Sequence, residues 1–268
     1  MNRIDSTFAR LRDEGEKAFI PYFMCGDPEP DLTGDLVLAA AKNGADIIEL
    51  GVPYSAPLAD GPTIQAAGQR SLEHGTNIDD VFATVFEIRE QSQVPLVMMG
   101  YYNLFFNYGL EDFFYRCQET GVDGVIIPDL PPDAGDEVPA DTDIHLINLI
   151  APSTERDRLK VIAGKSRGFI YAVSSMGTTG ARKEISQEIR GVIDSVRQYS
   201  DLPVVVGFGI SKPEHVRQIS EFASGVVVGS AVIKKMVDNF SLLPEKREEF
   251  IRCVGDYIYH LSAPLKQR

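Results

Sequence analysis

The chain has no tryptophan and only three cysteines in 268 residues. Cys25, Cys117 and Cys253 are widely spaced, odd in number and without a Cys-x-x-Cys pair. That pattern suggests neither a disulfide framework nor a zinc site. The four histidines, His74, His145, His215 and His260, also lack metal-ligand spacing. No apolar run approaches the ~18 residues of a membrane-spanning helix. From Met1 to Gly15, Arg3, Asp5, Arg10, Arg12, Asp13 and Glu14 interrupt the apolar positions. The apolar segment of a secretory signal is therefore missing, and the cytoplasm is the expected compartment. Positive charge is in deficit, with 26 Lys and Arg against 39 Asp and Glu, a formal net charge of −13. This argues against a nucleic-acid partner, whose phosphates need a basic face. A small phosphate can still be held by backbone amides and helix N-termini.

What the chain does have is a recurring alternation. Short, almost wholly apolar runs lie at Phe19–Met24, Ile47–Leu50, Leu96–Met99, Val122–Ile127, Ile144–Ile150, Phe169–Val173, Val204–Val206 and Val226–Val228. Such runs fit strands buried on both faces of a parallel sheet. Between them, helical spacing predicts helices over Leu32–Lys42, Asp79–Glu90, Leu110–Gln118, Glu155–Ile162, Ile185–Tyr199 and Pro213–Phe222, with a last one near Leu243–Leu261. A weak repeat (Asn43-Gly44-Ala45-Asp46, Thr120-Gly121-Val122-Asp123, Ser166-Arg167-Gly168, Ala223-Ser224-Gly225) puts a glycine just before a strand, as a left-handed cap ending the helix. Eight such units without a linker predict a single α/β domain over residues 1–268. The expected fold is a (β/α)8 TIM barrel with additional N-terminal and loop helices. An open doubly wound sheet is the other possibility, but no Gly-x-Gly-x-x-Gly follows the first strand.

Active sites of such barrels lie at the C-terminal ends of the strands. Glu49 interrupts the second apolar run there, and a carboxylate in a buried strand is costly unless used or paired. It is either functional or one half of a structural salt bridge. The long proline-stiffened loop that follows, Gly51 to Pro62, carries Asp60 before Gly61-Pro62. Asp60 is either functional or a cap for the next helix. Asp129, after the fourth strand, reads as a turn or cap residue. Tyr101 and Tyr171 end strands three and six and either reach the mouth or pack in the core. Strand seven ends in Gly207-Phe208-Gly209-Ile210 and strand eight in Gly229-Ser230-Ala231. Those two turns are where barrels build phosphate sites from loop amides and a short helix. Ser174 to Arg182, after strand six, is small and hydroxyl-rich, suiting a lid, and Gly180 could add an amide.

Together these residues resemble the α chain family of tryptophan synthase. The motifs are Gly26-Asp27-Pro28, Glu49 to Ser55 with Ala59 to Gln65, Tyr102-Asn103, Gly177-Thr178-Thr179-Gly180, Gly207-Phe208-Gly209-Ile210 and Gly229-Ser230, and the likeness spans the chain. It implies a lyase of tryptophan biosynthesis that cleaves indole-3-glycerol phosphate to indole and glyceraldehyde 3-phosphate. It implies Glu49 as general acid/base and Asp60 as the carboxylate holding the indole N–H. Gly180, Gly209, Gly229 and Ser230 are then phosphate ligands, Thr179 a lid residue positioning Asp60, Tyr171 a neighbour of Glu49, and Phe23 part of the indole pocket. The family works with a β subunit in an αββα complex. Pyridoxal phosphate would belong to that partner, and this chain is expected to need no cofactor and no metal. The missing tryptophan fits an enzyme made when tryptophan is scarce, or chance.

One position departs from the family. Relatives carry an aspartate associated with the β contact where this chain has Ala56. The partner is therefore expected to bind but to activate this chain less, or by another contact. Competing readings are a sugar-phosphate isomerase or aldolase, an idle regulatory partner, and a stand-alone indole-3-glycerol phosphate lyase. No strand holds the lysine of a Schiff-base aldolase.

Overall fold

A computed structural model of the chain describes residues 1–132, 139, 142–173, 182–207, 209–243 and 245–266, the side chains of 182–186 excepted. Helix α1 (Arg3–Glu14) leads into β1 (Ala18–Met24), α2 (Thr33–Lys42) and β2 (Ile48–Gly51). Next come α3 (Pro62–Glu73), α4 (Ile78–Arg89), β3 (Leu96–Met99), α5 (Tyr102–Tyr108), α6 (Leu110–Thr120) and β4 (Gly124–Ile126). The second half holds β5 (His145–Ile147), β6 (Leu149–Ile150), α7 (Arg156–Lys165), β7 (Ile170–Val173), α8 (Arg182–Val196) and β8 (Val204–Gly207). It ends with α9 (Pro213–Ser220), β9 (Gly225–Val228), α10 (Ser230–Val237) and α11 (Arg247–Ser262).

Among the described residues nine strands, all parallel, lie in the order β5-β4-β3-β2-β1-β9-β8-β7-β6. The outermost two, β5 and β6, are separated only by Asn148, so the sheet curls into a barrel of eight strands, not an open sheet. The expected continuous strand Ile144–Ile150 is thus split. Its first half pairs with β4 and its second with β7. The Asn148 carbonyl accepts the Tyr171 amide at 3.0 Å, and its side chain donates to Ser166 Oγ at 3.1 Å. The break therefore leaves that carbonyl and side-chain NH2 group paired.

Inside the barrel, Ala18, Ile20, Ile47, Val97, Ile126, Ile147, Phe169, Val205 and Val227 form one apolar column. Helix α1 closes its lower end with Ile4, Phe8 and Leu11, at the i, i+4, i+7 spacing of one helix face. Outward-facing strand residues and the ring of helices form the second, larger core, joined at the mouth by Tyr22 and Met24.

Two of the glycine turns carry an aspartate with the same job. Asp46 follows Gly44 and accepts the Phe19 amide at 2.9 Å, with Lys266 Nζ at 2.7 Å. Asp123 follows Gly121 and accepts the Leu96 amide at 2.8 Å, Arg89 at 2.7 Å and Arg3 at 2.8 Å. Each carboxylate holds the start of the preceding strand. Gly44 and Gly121 have φ of 98° and 90°, the left-handed geometry expected of them. Gly225 is different. It begins β9 with ordinary backbone, and a Cβ there would lie 2.7 Å from the Ala18 carbonyl oxygen, so close strand packing selects it instead of a helix cap.

Helices follow β2, β3 and β9 in pairs, and the first of each pair, α3, α5 and α10, starts at the upper rim. Among the described residues, no helix is long and apolar enough to cross a membrane.

Candidate active site

Residues at equal register on neighbouring parallel strands share a face. Tyr22 pairs with Glu49, and Glu49 with Val97 of the interior column, so Tyr22 and Glu49 both point into the barrel. Glu49 is 2% exposed. Among the described residues, no cation pairs with its carboxyl and no side chain hydrogen-bonds to it. The structural salt bridge is thus absent there. Burial pushes the carboxyl up to about 8, and the charge of Asp60 adds to the rise.

Asp60 is not a helix cap. Helix α3 begins at Pro62 with Gly61 as its N-cap. The Asp60 carboxyl instead lies beside the Tyr101 hydroxyl, which favours its charged form. That hydroxyl also accepts the Ala59 amide at 3.0 Å, and its ring stacks on Tyr54 with centroids 5.2 Å apart. Tyr101 therefore fastens the loop after β2 to the end of β3. Burial raises Asp60 to about 6, and the nearby Tyr101 hydroxyl opposes the rise. Near neutral pH the pair divides into a protonated Glu49 and an ionised Asp60, the separation that acid and base roles require.

Replacing Tyr101 with phenylalanine removes the donor and leaves burial unopposed. The Asp60 titration is expected to move upward from about 6, by about one pH unit for a bond to a charged group. Carbon-13 NMR of labelled aspartate carboxyls measures it; an unmoved midpoint would show that the contact does no electrostatic work.

Two tyrosines reach over glycines. Along β2 the inward positions run Ile47, Glu49, Gly51, and a Cβ at Gly51 would overlap the Tyr22 hydroxyl. A Cβ at Gly207 would overlap the hydroxyl of Tyr171 in the same way. Tyr171 feels Glu49 more than any other charge, so the two are neighbours.

Opposite the acids, Gly209 turns with φ 45°, is exposed, and has open space where a Cβ would stand. Gly229 is the N-cap of α10. Its carbonyl accepts the amides of Val232 and Ile233, and no described residue accepts those of Ser230 and Ala231. No acidic residue lies in the first turn of α10. Free amides and a helix N-terminus make this rim a place for an anion.

The expectations for Thr179 and Gly180, and the Gly177 to Gly180 motif, fall outside the described residues, as does Phe208. Phe23 is not brought to the site. It shares register with Leu50, one residue on from the inward pair, and packs fully buried in the outer core against the helices. Tyr22 holds the inward place instead. The alternation of Ile20 and Tyr22 against Ile47 and Glu49 carries that signal in the sequence. Asp129 accepts the Tyr102 amide at 2.8 Å and so caps α5, the role its turn-like surroundings suggest. Among the described residues, no group of three or more His, Cys, Asp or Glu could hold a metal.

Comparison with known proteins agrees with this arrangement. The family model described as tryptophan synthase alpha chain matches residues 8–257. The tryptophan synthase alpha chain of Thermoanaerobacter sp. (strain X514) is 45% identical over 268 residues, covering 99% of this chain and 100% of the relative. That of Alkaliphilus metalliredigens is 45% identical over 93% of this chain and 98% of its own. The crystal structure of the Legionella pneumophila str. Paris α subunit superposes with a TM-score of 0.89 at 34% identity, covering 99% of this chain and 98% of that one. With a buried and a half-buried carboxylate facing an amide-lined rim at the mouth of a parallel barrel, the chain belongs to the tryptophan synthase alpha chain family.

Proposed function

We propose that this chain is the carbon–carbon lyase of tryptophan synthase, cleaving indole-3-glycerol phosphate to indole and glyceraldehyde 3-phosphate. The observation that carries this is the separation of the two acids, Glu49 raised to about 8 and Asp60 to about 6, within one mouth. In the proposed reaction, protonated Glu49 gives its proton to C3 of the indole ring. C3 becomes tetrahedral, positive charge develops at the ring N–H, and ionised Asp60 balances it. Glu49, now a carboxylate, takes the proton from the adjacent side-chain hydroxyl. The C3 to side-chain bond then breaks, its electrons restore the aromatic ring, and an aldehyde is released. The phosphate rests on the amides of Gly209, Gly229 and Ser230, and on Gly180 as the resemblance implies. None of these steps calls for a cofactor; pyridoxal phosphate would belong to the β subunit.

The test is indole release from indole-3-glycerol phosphate across pH. Activity (kcat/KM) is expected to fall below about 6, where Asp60 takes up a proton, and above about 8, where Glu49 loses its own. A flat profile, or no indole, would overturn the assignment.

A β subunit in an αββα assembly is the proposed partner, in the cytoplasm. Support comes from the rim of the mouth, where Leu58 is 94% and Phe106 59% exposed, next to exposed Ala56 and Ala59. Such an apolar rim is costly to leave in water and favours a partner over a stand-alone lyase. Ala56 lacks the carboxylate of its relatives. Turnover measured with and without β is expected to rise more for Ala56→Asp than for the wild-type chain. Equal activation of both would show that this position does not carry the coupling.

A further inference from the structure

The Tyr22 hydroxyl has no role in the reaction as described, yet it lies where the reaction happens. Its residue is 4% exposed, and among the described residues its only hydrogen-bonding contact is the Met24 sulfur at 3.9 Å. A thioether is a weak acceptor, so this O–H is close to unpartnered. A buried hydroxyl without a good partner is costly, which directs attention to what it could meet when the site changes charge.

Its position is defined by Gly51. That glycine holds the inward position of β2 one step toward the mouth from Glu49, and the Tyr22 hydroxyl fills the space its side chain would take. The hydroxyl thus stands on the mouth side of Glu49. The titratable groups facing Tyr22 are Asp60 in the loop after β2, Glu49 on β2, Tyr101 after β3 and Asp27 in the turn after β1. Tyr171 on β7 faces Glu49 from the other side. Burial, reinforced by Asp60 and Glu49, keeps the Tyr22 hydroxyl protonated, so it can only offer a hydrogen to a charged neighbour. Asp60 already has the Tyr101 hydroxyl, whereas Glu49 has no donor among the described residues.

We propose that Tyr22 is a positioning residue whose hydroxyl turns from the Met24 sulfur to the Glu49 carboxylate whenever Glu49 carries charge. The step moves no proton and breaks no bond. It stabilises the carboxylate that exists between the two proton transfers, and so rests on the reading of Glu49 as the group that moves protons. The Gly51 position is what lets the hydroxyl stand there.

The experiment is the titration of Glu49 in the free protein, by carbon-13 NMR of labelled glutamate carboxyls assigned with Glu49→Gln. Wild type, Tyr22→Phe and Tyr171→Phe are compared. Phenylalanine keeps the ring and its packing and removes only the oxygen. In Tyr22→Phe the Glu49 midpoint is expected to rise by about one pH unit, the effect of losing a bond to a charged group. The alkaline limb of indole release should rise with it. An unmoved midpoint overturns the proposal, and so does a rise confined to Tyr171→Phe, which would make Tyr171 the donor. If the midpoint moves but the wild-type protein releases no indole, the lyase reading fails while the assignment of Tyr22 to Glu49 stands.

Discussion

Glu49→Gln is expected to lower indole release by about 10²- to 10⁴-fold, the usual contribution of a positioned acid/base. Glutamine keeps the shape and can donate a hydrogen bond, but it cannot give a proton to carbon or take one from a hydroxyl. Substrate binding should persist, because in the proposed reaction the phosphate is held by amides after β8 and β9 and the ring N–H by Asp60, none of which the substitution touches. The expected signature is therefore a loss in kcat with a small change in KM. Turnover near the wild-type rate would remove Glu49 from the mechanism.

The same substitution should stabilise the fold, in a pH-dependent way. The carboxyl titrates near 4.5 when exposed and near 8 in the folded protein. At pH below both values it is neutral in either state and costs nothing. As pH rises from about 4.5 toward 8, the unfolded chain ionises while the native one does not, and native stability is progressively lost. Each pH unit of separation is worth about 1.4 kcal/mol, so the full effect is on the order of a few kcal/mol. Glu49→Gln lacks this loss. Its melting temperature should match wild type near pH 4.5 and exceed it near pH 8. A stability gap that does not widen with pH would mean the carboxyl is not held neutral by burial.

The second large effect lies at the other end of the barrel. Asp123 is 2% exposed and binds Arg89, Arg3 and the Leu96 amide at 2.7, 2.8 and 2.8 Å. Arg89 is itself largely buried, and that burial lowers its guanidinium to about 10 against the pull of Asp123. Asp123→Ala would leave this cation without its carboxylate and a strand amide without an acceptor. The expected cost is about 3–5 kcal/mol, the range for breaking one side of a buried pair. Asp46→Ala is the comparison, since its partners Arg10 and Lys266 keep 49% and 26% of their side-chain surface in solvent. It should cost less, because exposed charges lose little when unpaired. Urea denaturation of both variants measures the difference. Equal costs would show that burial of the arginine does not matter.

Most of the barrel was legible as a one-dimensional pattern. Eight apolar runs alternating with helical spacing lead to eight parallel strands, and only Ile144–Ile150 hides a break, at Asn148. The break is invisible in sequence because the partners of the asparagine carbonyl and side-chain NH2 group, Tyr171 and Ser166, are distant in the chain. Gly225 looked like its neighbours Gly44 and Gly121 for the same reason. A glycine is written identically whether it serves a left-handed turn or a close strand contact.

At the site, the sequence by itself determined which chemistry was on offer. Glu49 within an apolar run, Asp60 on a stiff loop, and glycines after the last two strands are local facts. The tertiary structure decided how these residues are used. It placed Glu49 away from any cation among the described residues, tied Asp60 to Tyr101 instead of to helix α3, and put Tyr22 in place of Phe23 beside the acids. The physical reason is that a strand has two faces and period two. A shift of one residue exchanges interior for shell, and only closure of the barrel fixes which face turns inward.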